Sequence, residues 1–410
     1  MELKPGYKQT EVGVIPEDWD IRSLKDLCKE EITYGIVQCG PHVPGGIPYI
    51  RVSDMDGPIL DREKMLCTSY QIASRFRRSE VRHGEIVYAL RGRLGDVRPV
   101  PLDLDGANLT QGTARLSPSS RVHSPFLLWA LRNPEVVLRA CAESKGTTFM
   151  EITLADLRQI KIALPPEPEQ LRIASTLSDI EDHLMALDRE LAKKRNIKQA
   201  AMQELLTGKR RLPGFEGEWA EVSLGSVAAM NSGGTPPTGR DDFYGGGIQW
   251  VSISDMTSSG RFISETERTL SDLGLANCAA KRFPAGTILY AMYASLGECS
   301  MAAREVTTSQ AILGIRPGPS LVGKYLYYWL ESIRGAVKLM GQQGTQSNLN
   351  KKIVQGFSLV LPSKPEQAAI AKALGEIDQD IDALKDKAEK IRAMKAGMMQ
   401  QLLTGKIRLT

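Results

Sequence analysis

The chain has 410 residues, of which 42% are hydrophobic and 24% charged, with a formal net charge of +4. That supplies apolar material for two or three ordinary globular cores, and the mild basicity suits an anionic partner without demanding one. Six scattered cysteines (Cys28, Cys39, Cys67, Cys141, Cys278, Cys299) with no CxxC pair argue against a disulfide framework or zinc module and for a reducing cytoplasm; residues 1–6 lack the apolar core of a signal peptide, and the longest apolar run, 126–131, is far short of the roughly 20 residues that span a bilayer.

In chain order, residues 1–164 read as short β-type runs punctuated by Gly and Pro, with one amphipathic helix near the end, over 125–131. The strand-like run 160–164 is stopped by Leu164-Pro165-Pro166. Pro168 then suits a first helical turn, where its missing N–H costs nothing. Apolar residues follow at Ile173, Leu177, Ile180, Leu184, Leu187 and Leu191, a 4-3-4-3-4 spacing that is the seam of a coiled coil. Gly208, after Leu205-Leu206-Thr207, suits the left-handed position that closes a helix. Residues 165–210 are therefore expected to form a helix of about 40 residues, roughly 60 Å long. A second globular segment, 211–361, precedes a second helix, 362–410. Its seam is Ile370, Leu374, Ile377, Ile381, Leu384, Ala388 and Ile391, and its closing glycine is Gly405.

The two halves repeat. Leu164-Pro165 with Glu169-Gln170 returns as Leu361-Pro362 with Glu366-Gln367, and Leu205-Leu206-Thr207-Gly208-Lys209 returns as Leu402-Leu403-Thr404-Gly405-Lys406, all at an offset of 197. In the globular segments the offset drifts from 200 (Trp19, Trp219) through 201 (Arg51, Ser252) to 202 (Tyr88, Tyr290), so loops differ in length while one architecture persists. The stretch 212–219 also resembles 12–19, which places the N-terminal strip where the second helix ends. The expectation is an α+β chain: two pseudo-symmetric globular domains separated by two long antiparallel helices that form an intramolecular coiled coil. A coiled coil between two chains is the alternative.

The chain resembles the specificity subunit of a type I restriction-modification system. The residues that carry the match are Gly13-Val14-Ile15-Pro16-Glu17-Asp18-Trp19, the two Leu-Pro-(x)3-Glu-Gln openings, the two Leu-Leu-Thr-Gly-Lys closings, and Leu212-Pro213-Gly214-Phe215. The resemblance spans the whole length. It implies target-recognition domains over 1–164 and 211–361, each reading one half of a split, asymmetric sequence in double-stranded DNA. It implies that the helices 165–210 and 362–410 act as a spacer and dock two adenine-methylating modification subunits, which would hold S-adenosylmethionine. A restriction subunit, an ATP-dependent translocase and nuclease, would hold ATP and Mg. This chain itself would carry no cofactor and no metal and would not be an enzyme. A modification-only or related phage-defence complex, or a purely structural coiled-coil adaptor, are the alternatives.

Candidate DNA contacts follow. Arg75, Arg77, Arg78, Arg82, Arg91, Arg93 and Arg98 place seven arginines within 24 residues, against three acidic ones. Arg91-Gly92-Arg93 follows an apolar strand, where a glycine lets backbone approach phosphate and guanidinium forks can take guanine or phosphate; a solvated loop is the plainer reading. The matching loop is Tyr293-Ala294-Ser295-Leu296-Gly297, without arginine, so the two half-targets should differ. Thr147 and Thr148, answered by Thr345, Gln346 and Asn348, lie in a Gly-Thr stretch that in the family opens a short helix facing DNA. Such a start favours phosphate or is ordinary capping. Gln111 and Gln310 are a weaker pair. Lysines on the long helices (Lys193, Lys194, Lys198, Lys385, Lys387, Lys390, Lys395) read as a solvated face. No catalytic set emerges: Gly208-Lys209 is followed by Arg210 and not Ser or Thr, Asn133-Pro134-Glu135 breaks the tetrad of amino-methyltransferases, and the four histidines are unclustered.

Overall fold

A computed structural model describes residues 5–144, 150–343 and 348–410. The chain divides into two compact units, residues 1–187 with 387–410, and residues 188–386. Each unit therefore contains one globular segment and parts of both long helices.

In the first unit the strands run in the order Thr33–Tyr34, Thr113–Leu116, Ile86–Ala89, Val97–Pro99, all antiparallel. Ile86–Ala89 is buried on both faces. Because side chains alternate across a strand, Ile86 and Tyr88 enter one apolar cluster with Phe126, Trp129 and the start of the first long helix, while Val87 and Ala89 enter another with Val81 and Leu109. A smaller sheet of Cys67–Thr68, Ile47–Ile50 and Asn108–Leu109 covers that second cluster. The run before the prolines forms the strand Lys161–Leu164, which pairs antiparallel with Asp20–Ser23.

The second unit repeats this plan. Its main sheet has the order Ala228–Ser232, Ile312–Pro317, Ile288–Ala291, Cys299–Ala302, Phe262–Ile263, with only the last pair parallel. Ile288 and Tyr290 face one cluster, Leu289 and Ala291 the other. The strand Ser358–Leu361 pairs with Ala220–Ser223. One difference from expectation lies near the end of each globular segment. The second carries a single helix, Gly323–Gln343, but the first breaks into Ser124–Leu131 and Pro134–Ala142. Pro134 cannot continue a helix, and Asn133 restarts one by accepting the Glu135 N–H at 3.0 Å.

The long helices span Glu167–Leu205 and Lys364–Leu402, 39 residues each, about 58 Å at ~1.5 Å per residue. All the seam residues are buried or half-buried. In the first unit Ile173 and Leu177 share a cluster with Leu402 and Leu403, and Lys395 pairs with Glu181. In the second, Met202 and Leu205 share a cluster with Ile370 and Leu374, and Lys198 meets Asp378 at 3.0 Å. Numbers rise along one helix as they fall along the other, so the packing is antiparallel. The seam is filled from within the chain, which removes the case for a coiled coil between two molecules. The two ion pairs are repeat mates: 198 and 395, and 181 and 378, each differ by 197.

The Glu-Gln openings anchor each helix start inside its own unit. Gln170 accepts the His123 N–H at 2.9 Å and donates to the Pro165 carbonyl at 2.9 Å; Gln367 accepts from Val322 and donates to Ser320 and Pro362. Glu169 is 2% exposed, and its oxygens accept from Trp19 Nε1 at 3.0 Å and from Arg408 at 2.8 Å twice. Glu366, 1% exposed, accepts from Trp219 Nε1 at 3.2 Å and from Arg211 at 2.5 and 2.7 Å. Arg408 and Arg211 are again 197 apart. The same knot thus closes both units, but in the first its arginine comes from beyond the second long helix. Arg408 also grips Asp18 at 2.7 Å, and that hydrogen bond holds the Asp18 carboxyl below the usual carboxylate range. Tyr7 Oη donates to the Gly405 carbonyl at 2.8 Å, so the N-terminal strip does meet the end of the second helix. Gly405 has φ of +69°, and a Cβ there would lie 2.4 Å from the Pro16 ring, so glycine is required on both counts.

Candidate nucleic-acid interface

In each unit two candidate segments meet a third stretch of chain at one end of the main sheet. In the first, the Leu90 N–H donates to the Gly112 carbonyl at 2.9 Å, and the Ile152 N–H to the Leu90 carbonyl at 3.0 Å. The loop 91–93, the turn that carries Gln111 and the segment 150–152 are thereby bound together. In the second unit the Met292 N–H donates to the Ala311 carbonyl at 2.8 Å and the Leu349 N–H to the Met292 carbonyl at 3.0 Å. These join the loop 293–297, the turn that carries Gln310 and the segment that carries Asn348. Sequence separation hides this meeting; the sheet register produces it.

The chemistry at matched positions is unlike in the loop after the central strand, whereas the turn keeps a glutamine in both units, Gln111 and Gln310. Arg91 is exposed where the second unit has Tyr293, 39% exposed. Gln111 and Ser295 are half-buried, and Gln310 and Asn348 exposed. Arg93 is exposed but already paired with Asp56 and, at 3.3 Å, with Asp96. Arg98 donates to the carbonyls of Met55 at 2.7 Å and Gly57 at 2.9 Å, so it holds loops together. Arg82 pairs with Glu80 at 2.9 Å. Arg75, Arg77 and Arg78 are exposed on the turn Ser74–Ser79. That turn is anchored where Asn108 Nδ2 donates to the Phe76 carbonyl at 3.2 Å and Arg115 to the Arg78 carbonyl at 3.2 Å. Thr147, Thr148, Thr345 and Gln346 lie outside the described residues. The short helices that follow them are Leu154–Gln159, capped by Thr153, and Lys351–Gln355, capped by Asn350. On the long helices Lys194 pairs with Asp380 at 2.6 Å, Lys198 with Glu331 and Asp378 at 3.0 Å each, and Lys385 with Asp382 at 3.4 Å.

Two features were not read from the sequence. Arg51 lines one cleft with Arg91, Thr110 and Gln111, and Asp54 holds its guanidinium in two hydrogen bonds. The available signal was that Arg51 stands opposite Ser252 inside a stretch that otherwise matches except at Pro48 and Gln249. The other is Ala294, which has φ of +57° and is the only non-glycine residue with positive φ among the described residues; its counterpart Gly92 has +71°. An alanine there costs roughly 1–2 kcal/mol relative to an unstrained conformation. Ala294→Gly should therefore stabilise the protein by about 0.5–1 kcal/mol after the added freedom of the unfolded chain is counted, read as a raised midpoint of urea unfolding. A lowered midpoint would show that the loop is not strained.

Among the described residues, no group of three or more His, Cys, Asp or Glu side chains could hold a metal ion, and no helix is long and apolar enough to cross a membrane.

Two unlike loop clusters on one duplicated scaffold are the pattern of paired sequence readers. The family model for the type I restriction modification DNA specificity domain matches the chain twice, over residues 16–198 and 216–393. The chain belongs to that family. It is 25% identical, over 98% of its own length and 97% of the relative's, to the putative type I restriction enzyme MjaX specificity subunit of Methanocaldococcus jannaschii. It is 26% identical to the type I restriction enzyme EcoBI specificity subunit of Escherichia coli, over 53% of this chain and 46% of that one. Its fold resembles that of the type I restriction-modification system S subunit from M. genitalium, with a TM-score of 0.61, 17% identity and 98% of each chain covered. It also resembles a chain solved in work on complex assembly and conformational transition of the type I R-M system, with a TM-score of 0.60, 20% identity, and 96% and 99% covered.

Proposed function

We propose that this chain addresses a type I restriction-modification complex to DNA, each unit reading one half of a split, asymmetric target. The observation that carries the reading is the convergence, in both units, of three loop segments at one end of the sheet, with unlike side chains in the loop 91–93 and its counterpart 293–295. Two copies of a single reader would need no such divergence. In this reading the long helices set the unread gap and dock two modification subunits, which carry S-adenosylmethionine and methylate adenine. A restriction subunit, where one joins, carries ATP and Mg. The chain performs no chemistry of its own, and the complex works in the cytoplasm.

Methylome sequencing of cells that express the chain with its modification partner tests this. A split motif with a methylated adenine in each half is expected; one unbroken motif, or none, defeats it. Matched four-residue insertions in both long helices add about 6 Å each and should lengthen the unread gap by one or two base pairs, at ~3.4 Å per step, while both half-sequences stay unchanged.

A further inference from the structure

The strand Ile47–Ile50 delivers Arg51 to the rim of an open cleft of about 660 Å3 that Arg91, Thr110 and Gln111 also line. Asp54 braces it. Arg51 Nε donates to Oδ2 at 3.1 Å and Nη2 to Oδ1 at 2.6 Å, while Oδ2 also accepts the Arg51 backbone N–H at 2.8 Å. The Asp54 side chain is 8% exposed, whereas that of Arg51 is 37% exposed. The carboxylate therefore occupies the Nε–Nη2 edge, and Nη1 on the outer edge of the guanidinium donates to no protein acceptor among the described residues. A planar fork fixed in this way has little rotamer freedom left to lose when it meets a second acceptor pair.

Two ligand groups offer such a pair on DNA: a phosphate and the O6/N7 edge of guanine. The repeat decides between them. At the matched position the second unit keeps the carboxylate as Asp255 but has Ser252, whose Oγ donates to Asp255 at 2.6 Å and accepts its N–H at 3.2 Å. Ser252 is thus absorbed into a helix cap. Phosphates run the same way past both halves of a target, so a backbone contact should be wanted in both units. A contact kept in only one is the mark of a base.

We propose that Arg51, positioned by Asp54, reads a guanine in the half-target of the first unit, and that the second unit has no such contact. This rests on the DNA-reading role proposed above and adds to it the identity of one base.

The test uses the chain assembled with its modification partner and a randomised DNA library, with bound and methylated sequences read out. The wild-type target should contain a G·C pair in one half. Arg51→Ala should relax the preference at that one position by about ten- to a hundredfold and leave the other half and the gap unchanged. Arg51→Lys keeps the charge but not the fork, and should relax the same letter. Asp54→Asn should relax it partly. If Arg51→Ala and Arg51→Lys weaken binding to all sequences alike, with every letter kept, the residue is a phosphate contact and the inference fails. It fails too if the relaxed position is an A·T pair. In both cases the split target survives and the broader reading stands; that reading falls only if the wild-type complex shows no split target.

Discussion

Glu85→Ala should lower the stability of the first unit by about 3 kcal/mol, since the loss of one partner from a buried ion pair costs roughly 3–5 kcal/mol and Arg115 retains Glu30 at 2.6 Å. The pair is two-pronged: Arg115 Nε to Glu85 Oε2 at 2.7 Å and Nη2 to Oε1 at 2.8 Å, with side chains only 7% and 4% exposed. Glu85 also accepts the Arg82 N–H at 2.9 Å, so its removal orphans a backbone donor as well. Thermal unfolding of that unit should fall by about 6–12 °C, at ~2–4 °C per kcal/mol for a unit of this size. The second unit shows what an apolar substitute looks like. The position of Arg115 is taken by Gly314, and that of Val81 by Phe283, whose ring fills the space; a Cβ on Gly314 would lie 2.2 Å from it. A double replacement, Glu85→Leu with Arg115→Met, should therefore recover most of the loss. A single variant within about 1 kcal/mol of wild type would show that the pair is not desolvated.

Glu366→Ala is the second large effect. It removes a carboxylate only 1% exposed and leaves the half-buried Trp219 Nε1–H without its acceptor, while the Arg211 guanidinium, 27% exposed, keeps only the Gly217 carbonyl at 2.9 Å. The cost is about 2–4 kcal/mol, from the unmet donors and the unpaired charge together. Glu366→Gln keeps an oxygen for Trp219 and should lose roughly half as much. Hydrogen exchange read peptide by peptide should show the first loss of protection at Ala220–Ser223 and Ser358–Leu361, the strand pair beside the knot. Unchanged protection there would remove the knot from any role in stability.

The long helices and their seam were legible because a heptad pattern is local: Ile173, Leu177 and Leu374 declare a buried stripe by spacing alone. The duplication was legible for the same reason. Pairings that depend on topology were not. Nothing in the composition of residues 75–98 separates Arg91, which meets no carboxylate, from Arg93 and Arg98, which are tied to Asp56 and to the carbonyls of Met55 and Gly57 in a loop that starts elsewhere. Glu169 and Arg408 stand 239 residues apart and meet only because the second long helix returns its end to the first unit. The exchange of Arg115 and Val81 for Gly314 and Phe283 looks like drift until the sheet register sets each pair face to face. The charge density singled out a stretch, and the fold ties some of its members to carboxylates and carbonyls and leaves others without such partners.

The second unit is one unbroken stretch, 188–386, whereas the first is made of 1–187 and the late strip 387–410. During synthesis the whole of the second unit therefore leaves the ribosome before Arg408 can reach Glu169 and Asp18. The half that is begun first is finished last, and a message cut short after residue 386 would encode every residue of the later reader while leaving the earlier one without its clasp.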